Sequence, residues 1–187
     1  EVKTFMRELV AQYPQNAKLF TLGMSNSGIA IEGVALGNGP VKHLIVAAHH
    51  GNEYGSVETA RGVAASLAEH PIVGQTVYVV PVLNLAGYDA KQRRESSNGV
   101  SYDPNRNYPG PCGGQGPLTL KSTEALANFL DKEGIVATAT LHTFYPAVVY
   151  PWGMSTNDLS TSYDDIFEQL VQAATIESGY PTGNATK

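Results

Sequence analysis

The stretch HLIVAAHHGNEYG, residues 43–55, decides how this chain folds. An apolar run from Leu44 to Ala48 breaks abruptly into two histidines, a glycine, an asparagine and a glutamate. Short apolar runs without alternation suit strands covered on both faces, as in parallel sheets. Residues 54–69 follow at once, with Val57, Ala60, Ala64 and Leu67 at helical spacing. A covered strand that leads straight into a helix is the repeating element of an α/β sheet.

The flanking sequence extends that pattern. Val2, Phe5, Met6, Leu9 and Val10 predict an opening amphipathic helix, and LFTLGMSNSGIAIEGVALG, residues 19–37, predicts a pair of antiparallel strands. TVYVVPVLN, residues 76–84, is a second covered strand, and residues 119–132 form a second covering helix with Leu126, Phe129 and Leu130 inward. IVATATLHT, residues 135–143, is a third strand. A last helix spans about Tyr163 to Ser178, with Ile166, Phe167, Leu170, Val171 and Ala174 on one face. The expected fold is α/β, a mixed, largely parallel twisted sheet with helices on both faces. Residues 84–118 interrupt it with a long stretch rich in Gly, Pro, Asn, Ser and Arg, and loops of that length in compact domains are usually functional or disordered.

With 187 residues the chain is expected to form one domain with a substantial core. A formal net charge of −5 and no Lys/Arg cluster argue against a nucleic-acid surface. No apolar run reaches the ~18 residues of a membrane span. Cys112 is the single cysteine and has no partner for an internal disulfide. Asn184-Ala185-Thr186 has the form of a glycosylation sequon.

Chemistry concentrates at strand ends. Ligands of open α/β sheets sit beyond the carboxyl ends of the strands. There the first strand carries His49, His50 and Glu53, the second Asn84, and the third His142. Imidazole and carboxylate ligands from different elements, with one position left for water, are the geometry a metal would need. Gly51 would permit a close backbone approach in the turn. His43 and His70 lie at no strand's carboxyl end and read as surface residues.

HHGNE (49–53), GVSYDPNRNYPG (99–110) and LHTFYPAVVYPWG (141–153) resemble, in order and spacing, the signatures of the carboxypeptidase A-like, funnel-shaped zinc metallopeptidases. The resemblance covers nearly the whole chain and implies their phosphorylase/hydrolase-like fold. It implies one Zn2+ per chain held by His50, Glu53 and His142, with His49 in a supporting position at most. Asn105 and Arg106 would bind the free terminal carboxylate of a peptide or peptide-like substrate, a task suited to a planar guanidinium fork. Asp103 would orient that clamp or a metal-ligating histidine. An arginine upstream would stabilise the oxyanion, and Arg93 and Arg94 are both candidates, Arg94 sitting better relative to Gly99. Ser101 and Tyr102 are an insertion relative to many relatives, and Phe144 stands where many have tyrosine.

The resemblance also implies a general-base glutamate on a later strand, so a C-terminal part is expected to be missing from residues 1–187. Glu177, at the end of an amphipathic helix, reads as a solvated residue. The expected activity is hydrolysis of a C-terminal peptide bond. A murein-peptide amidase or N-acyl-amino-acid deacylase is the alternative, and a non-catalytic carboxylate-binding module is the reading from another class. A secreted or periplasmic location is the family's implication.

Overall fold

A computed structural model describes residues 1–110, 116–151, 153, 160–185 of the chain. Cys112 and Thr186 of the sequon lie outside the described residues. The chain divides into two compact units, residues 1–143 and 144–187.

The first unit opens with α1 (Val2–Gln12), followed by the strands β1 (Ala17–Met24), β2 (Ala30–Gly37) and β3 (Val41–Ala47). Next come α2 (Tyr54–Glu69), β4 (Gln75–Val80), α3 (Leu85–Ala90) and a hairpin of β5 (Glu95–Ser97) and β6 (Val100–Tyr102). A single 3₁₀ turn, Pro104–Arg106, then leads to α4 (Lys121–Glu133) and β7 (Ala137–Leu141). The sheet order is β1-β2-β4-β3-β7. β1 pairs antiparallel with β2, and β2 with β4, whereas β3 runs parallel to both β4 and β7. Four of these five strands therefore point the same way, and the sheet is mixed as expected.

Side-chain alternation sorts the strand residues between two cores. Val34, Leu36, Ala47, Val77 and Val79 pack on one face with Leu9 of α1 and Ala60, Ala64 and Ala68 of α2. Ile31, Leu44, Val46 and Val80 pack on the other with Leu126 and Phe129 of α4. The alanines of α2 allow a close approach of helix to sheet. On the opposite face Phe20, Tyr78 and Phe129 fill a wider gap, their ring centroids 5.1 Å apart in each pair.

β7 lies at the sheet edge beside β3, and Ala137 to Thr140 are exposed. One expectation changes. His43 is half-buried in the inner strand β3, where it pairs with Val77 and Ala137; His70, past the end of α2, is exposed.

The second unit holds β8 (Val148–Tyr150), α5 (Asp164–Ala174) and β9 (Thr182–Asn184). β8 and β9 pair in parallel, and Tyr150 stacks on Phe167 with centroids 5.7 Å apart. Within α5 Val171 is buried, whereas Ile166 and Leu170 are 58% and 55% exposed. A ribbon of two three-residue strands is too small to cover the whole apolar stripe. Asn184 is buried in β9; Glu177 is exposed just past α5, and Phe144 is exposed. No described helix is long and apolar enough to cross a membrane.

One buried charge deserves a test. Glu95 is 1% exposed; Ser122 donates its hydroxyl to Oε2 at 2.6 Å, and Oε1 has no partner among the described residues. Burial pushes this carboxyl above its usual range, against the pull of the Ser122 hydroxyl and the Asn26 amide. A carboxyl with a raised folded pKa favours the fold below the ordinary value of 4.5 and loses that contribution as pH rises through the folded value. Glu95→Gln keeps the acceptor for Ser122 without a charge. Thermal unfolding from about pH 4 to about pH 8 should show the variant gaining on the wild type as pH rises. A difference that stays flat across that range would contradict the raised pKa.

Candidate metal centre

Three strand ends meet beyond the carboxyl edge of the sheet. After β3 the chain passes Ala48, which is fully buried and takes a left-handed backbone (φ 49). That conformation costs a non-glycine residue about 1–2 kcal/mol. It is held from both sides: the Ala48 amide donates to the Ser56 hydroxyl at 3.2 Å, and its carbonyl accepts the Asn84 amide at 3.0 Å. Gly51 then passes so close to α3 that a Cβ there would overlap the backbone of Gly87. Asn84, fully buried after β4, caps α3 by accepting the Gly87 amide at 2.8 Å. Its side-chain amide reaches the carbonyls of His49 and Arg93 at 3.4 and 3.3 Å, joining the histidine turn to the arginine segment.

His50, Glu53 and His142 converge here. Their donor atoms all lie within 4.8 Å of one another. Glu53 places one oxygen 2.8 Å from His50 Nδ1 and the other 2.8 Å from His142 Nδ1. The Thr143 amide also donates to Glu53, at 3.3 Å. Burial of Glu53 opposes its charge, but its contacts with His50 and His142 outweigh this and hold its carboxyl below the usual range. His142 is supplied by β7, whose parallel pairing sets Leu141 opposite Ala47 and so brings the next residue level with the histidine turn.

Behind His50 stands Asp103, its Oδ1 3.0 Å from His50 Nε2. The same oxygen accepts the Asn105 amide at 2.9 Å, and Oδ2 accepts Arg93 Nε and Nη2 at 3.2 and 3.1 Å. Burial again opposes the charge on Asp103, and His50, Arg93 and the Asn105 amide together lower its pKa. A carboxylate on the far nitrogen of a histidine is the usual way to fix the tautomer and ring orientation of a metal ligand. The donor set therefore fits zinc: two imidazoles and one carboxylate from the ends of β3 and β7, one histidine oriented by an outer carboxylate.

The two adjacent arginines part company. Arg93 reaches inward, with Nη1 3.7 Å from Glu53 Oε1 besides its bonds to Asp103. Arg94 turns onto the hairpin, donating to the Ser101 hydroxyl at 3.1 Å and the Ser101 carbonyl at 2.8 Å. Asn105 is half-buried, and Arg106 is exposed with one N–H on the Asn105 carbonyl at 2.9 Å.

His49 is 1% exposed, and its Nε2 lies 2.8 Å from the Tyr108 hydroxyl. Burial, with the neighbouring His142 and His50, drives its pKa down to about 3, so it is neutral. Sequence reasoning placed His49 only as a supporting residue and did not single out Tyr108. A tyrosine two positions beyond a candidate clamp carries no signal until the loop is folded.

The zinc carboxypeptidase family model matches residues 2–185. The chain belongs to the zinc carboxypeptidase family. It is 26% identical over 198 residues to carboxypeptidase M of Mus musculus, covering 90% of this chain and 45% of that protein. It is 23% identical over 208 residues to a metallocarboxypeptidase A-like protein of Trichophyton verrucosum, covering 90% and 49%. The chain thus spans about half the length of these two relatives. Among solved structures, bovine thrombin-activatable fibrinolysis inhibitor bound to tick carboxypeptidase inhibitor shares the fold, with a TM-score of 0.87 over 99% of this chain and 75% of that one at 17% identity. A murein-tripeptide amidase of Escherichia coli O157 shares it with a TM-score of 0.62 over 95% and 76%, at 18% identity. These likenesses show that the α/β sheet of this chain shares their fold.

Proposed function

We propose that this chain carries the zinc site and carboxylate clamp of an enzyme that hydrolyses the last amide bond of a peptide ending in a free carboxylate, with one zinc held by His50, Glu53 and His142 and the general base expected outside residues 1–187. The observation that carries this reading is the joint geometry of Glu53: each of its oxygens meets a different histidine at 2.8 Å, with Arg93 beside it. When bound, zinc in such a set supplies Lewis acidity and makes a nucleophile available at neutral pH. Asp103 orients His50 and holds Arg93. Arg93 offers N–H donors near the metal ligands, where negative charge develops on the scissile carbonyl oxygen. Asn105 and Arg106 anchor the substrate carboxylate, the guanidinium fork matching its two oxygens.

A related amidase reading stands beside this one, because the murein-tripeptide amidase shares the fold and a carboxylate clamp serves either substrate. The test uses protein purified without added metal. Zinc content is measured first, then calorimetric binding and turnover of a short peptide, its C-terminal amide, a murein tripeptide and an N-acyl amino acid. The expected result is near-stoichiometric zinc and a preference for the free acid over the amide of ~10²-fold or more, since the amide leaves the clamp's charge unpaired. Preferred turnover of the murein tripeptide would select the amidase. Zinc with carboxylate-dependent binding but no turnover would favour the carboxylate-binding module, and absence of zinc after reconstitution would overturn the metal site.

A further inference from the structure

Residues 103–108 carry the proposed carboxylate clamp and are fastened at three points. At the front, Asp103 meets His50 Nε2 at 3.0 Å. Near the back, Asn107 is buried against α4, its Oδ1 accepting the Leu120 amide at 3.0 Å and the Thr123 hydroxyl at 2.7 Å. At the far end, the Tyr108 hydroxyl meets His49 Nε2 at 2.8 Å. Two consecutive residues of the metal turn thus hold the two residues that bracket Asn105 and Arg106.

We infer that His49 is a positioning residue for substrate binding: through Tyr108 it fixes the end of the clamp segment that Asp103 does not reach. The inference rests on the function proposed above. His49 occupies a buried site where an aliphatic side chain would pack without a polar penalty. It leaves Nδ1 without a partner among the described residues, so the ring's one polar contact there is the bond to Tyr108. Leaving a ring nitrogen buried and unpaired is costly, which makes simple filling of space a poor account of a histidine at this place. The His49 ring also lies against Tyr108 and His142, with centroids 5.8 Å away in both cases, so it bridges clamp and metal turn without supplying a metal ligand. Without the Tyr108 bond the segment keeps Asp103 and Asn107 but loses its fastening beyond them, which widens the arc open to the Arg106 fork, and misplacement of a bidentate donor weakens carboxylate binding.

The test compares zinc-loaded wild type, Tyr108→Phe, His49→Leu, the double variant and His49→Gln. Each is titrated calorimetrically with a short free-acid peptide and with its amide, and zinc content and thermal midpoint are recorded. Tyr108→Phe and His49→Leu should each weaken free-acid binding about 10-fold, with the double variant no worse than either. Amide binding and zinc content should hold, any activity should change in KM rather than kcat, and His49→Gln should recover much of the affinity. Tyr108→Phe keeps the ring and guards against loss of folding in the histidine variants. Free-acid affinity unchanged in Tyr108→Phe and His49→Leu would overturn the inference, as would additive losses in the double variant or loss of zinc in His49→Leu. A wild type that does not distinguish acid from amide would overturn the clamp itself, and with it this inference.

Discussion

His142→Ala should strip zinc from this protein, lowering its affinity by at least ~100-fold, since removing even an outer-shell partner of a ligand costs 10- to 100-fold. The ring stands at the end of the edge strand β7, its side chain 28% exposed, and its Nδ1 meets Glu53. Deleting a partly exposed imidazole creates little cavity, so the metal-free variant should fold like the metal-free wild type. The difference appears on adding zinc. A ligand that binds only the folded state raises stability by RT ln(1 + [L]/Kd), so wild type should gain thermal stability with zinc and the variant should not. His70→Ala is the control, because His70 lies outside the cluster and is exposed. Metal analysis and melting with and without zinc decide the matter: equal zinc in wild type and His142→Ala would remove His142 from the site.

Arg93→Ala should cost ~10²–10³ in kcat for the free-acid peptide, the loss typical of removing one oxyanion donor, while Arg94→Ala should stay within a few-fold. The reason is orientation. Arg93 lies 3.7 Å from Glu53 and is held by both Nε and Nη2 on Asp103, whereas Arg94 closes the β5–β6 hairpin on Ser101. The Arg93 bonds to Asp103 also link it to His50, so zinc content must be measured in the same samples. A fall in kcat with zinc retained marks a role in the reaction, and a fall with zinc lost marks a role in holding His50. A larger loss in Arg94→Ala than in Arg93→Ala would reverse the assignment.

Much of this protein was legible from residue order alone. Uninterrupted apolar runs and 3.6-residue spacing located β3, β4, α2 and α4, because a strand covered on both faces and a helix with one covered face impose different patterns. The positions of His50, Glu53 and His142 followed, since strand ends of a parallel sheet share one edge. Other features depend on contacts between residues far apart in the chain. Arg93 and Arg94 are indistinguishable as letters, and only the path into the β5–β6 hairpin turns one toward Glu53 and the other toward Ser101. Glu95 sits in a polar stretch that reads as solvent-exposed, yet α4 covers it and Ser122 supplies its bond. The apolar stripe of α5 promised burial, but burial needs a partner layer, and β8 and β9 reach only part of it. His49 and Tyr108, 59 residues apart, meet because the loop after β6 folds back on the turn after β3. Local periodicity determined which segments become strands and helices and where the candidate ligands lie along them; long-range packing decided which polar side chains turn toward the His50–Glu53–His142 cluster, which face each other and which face water.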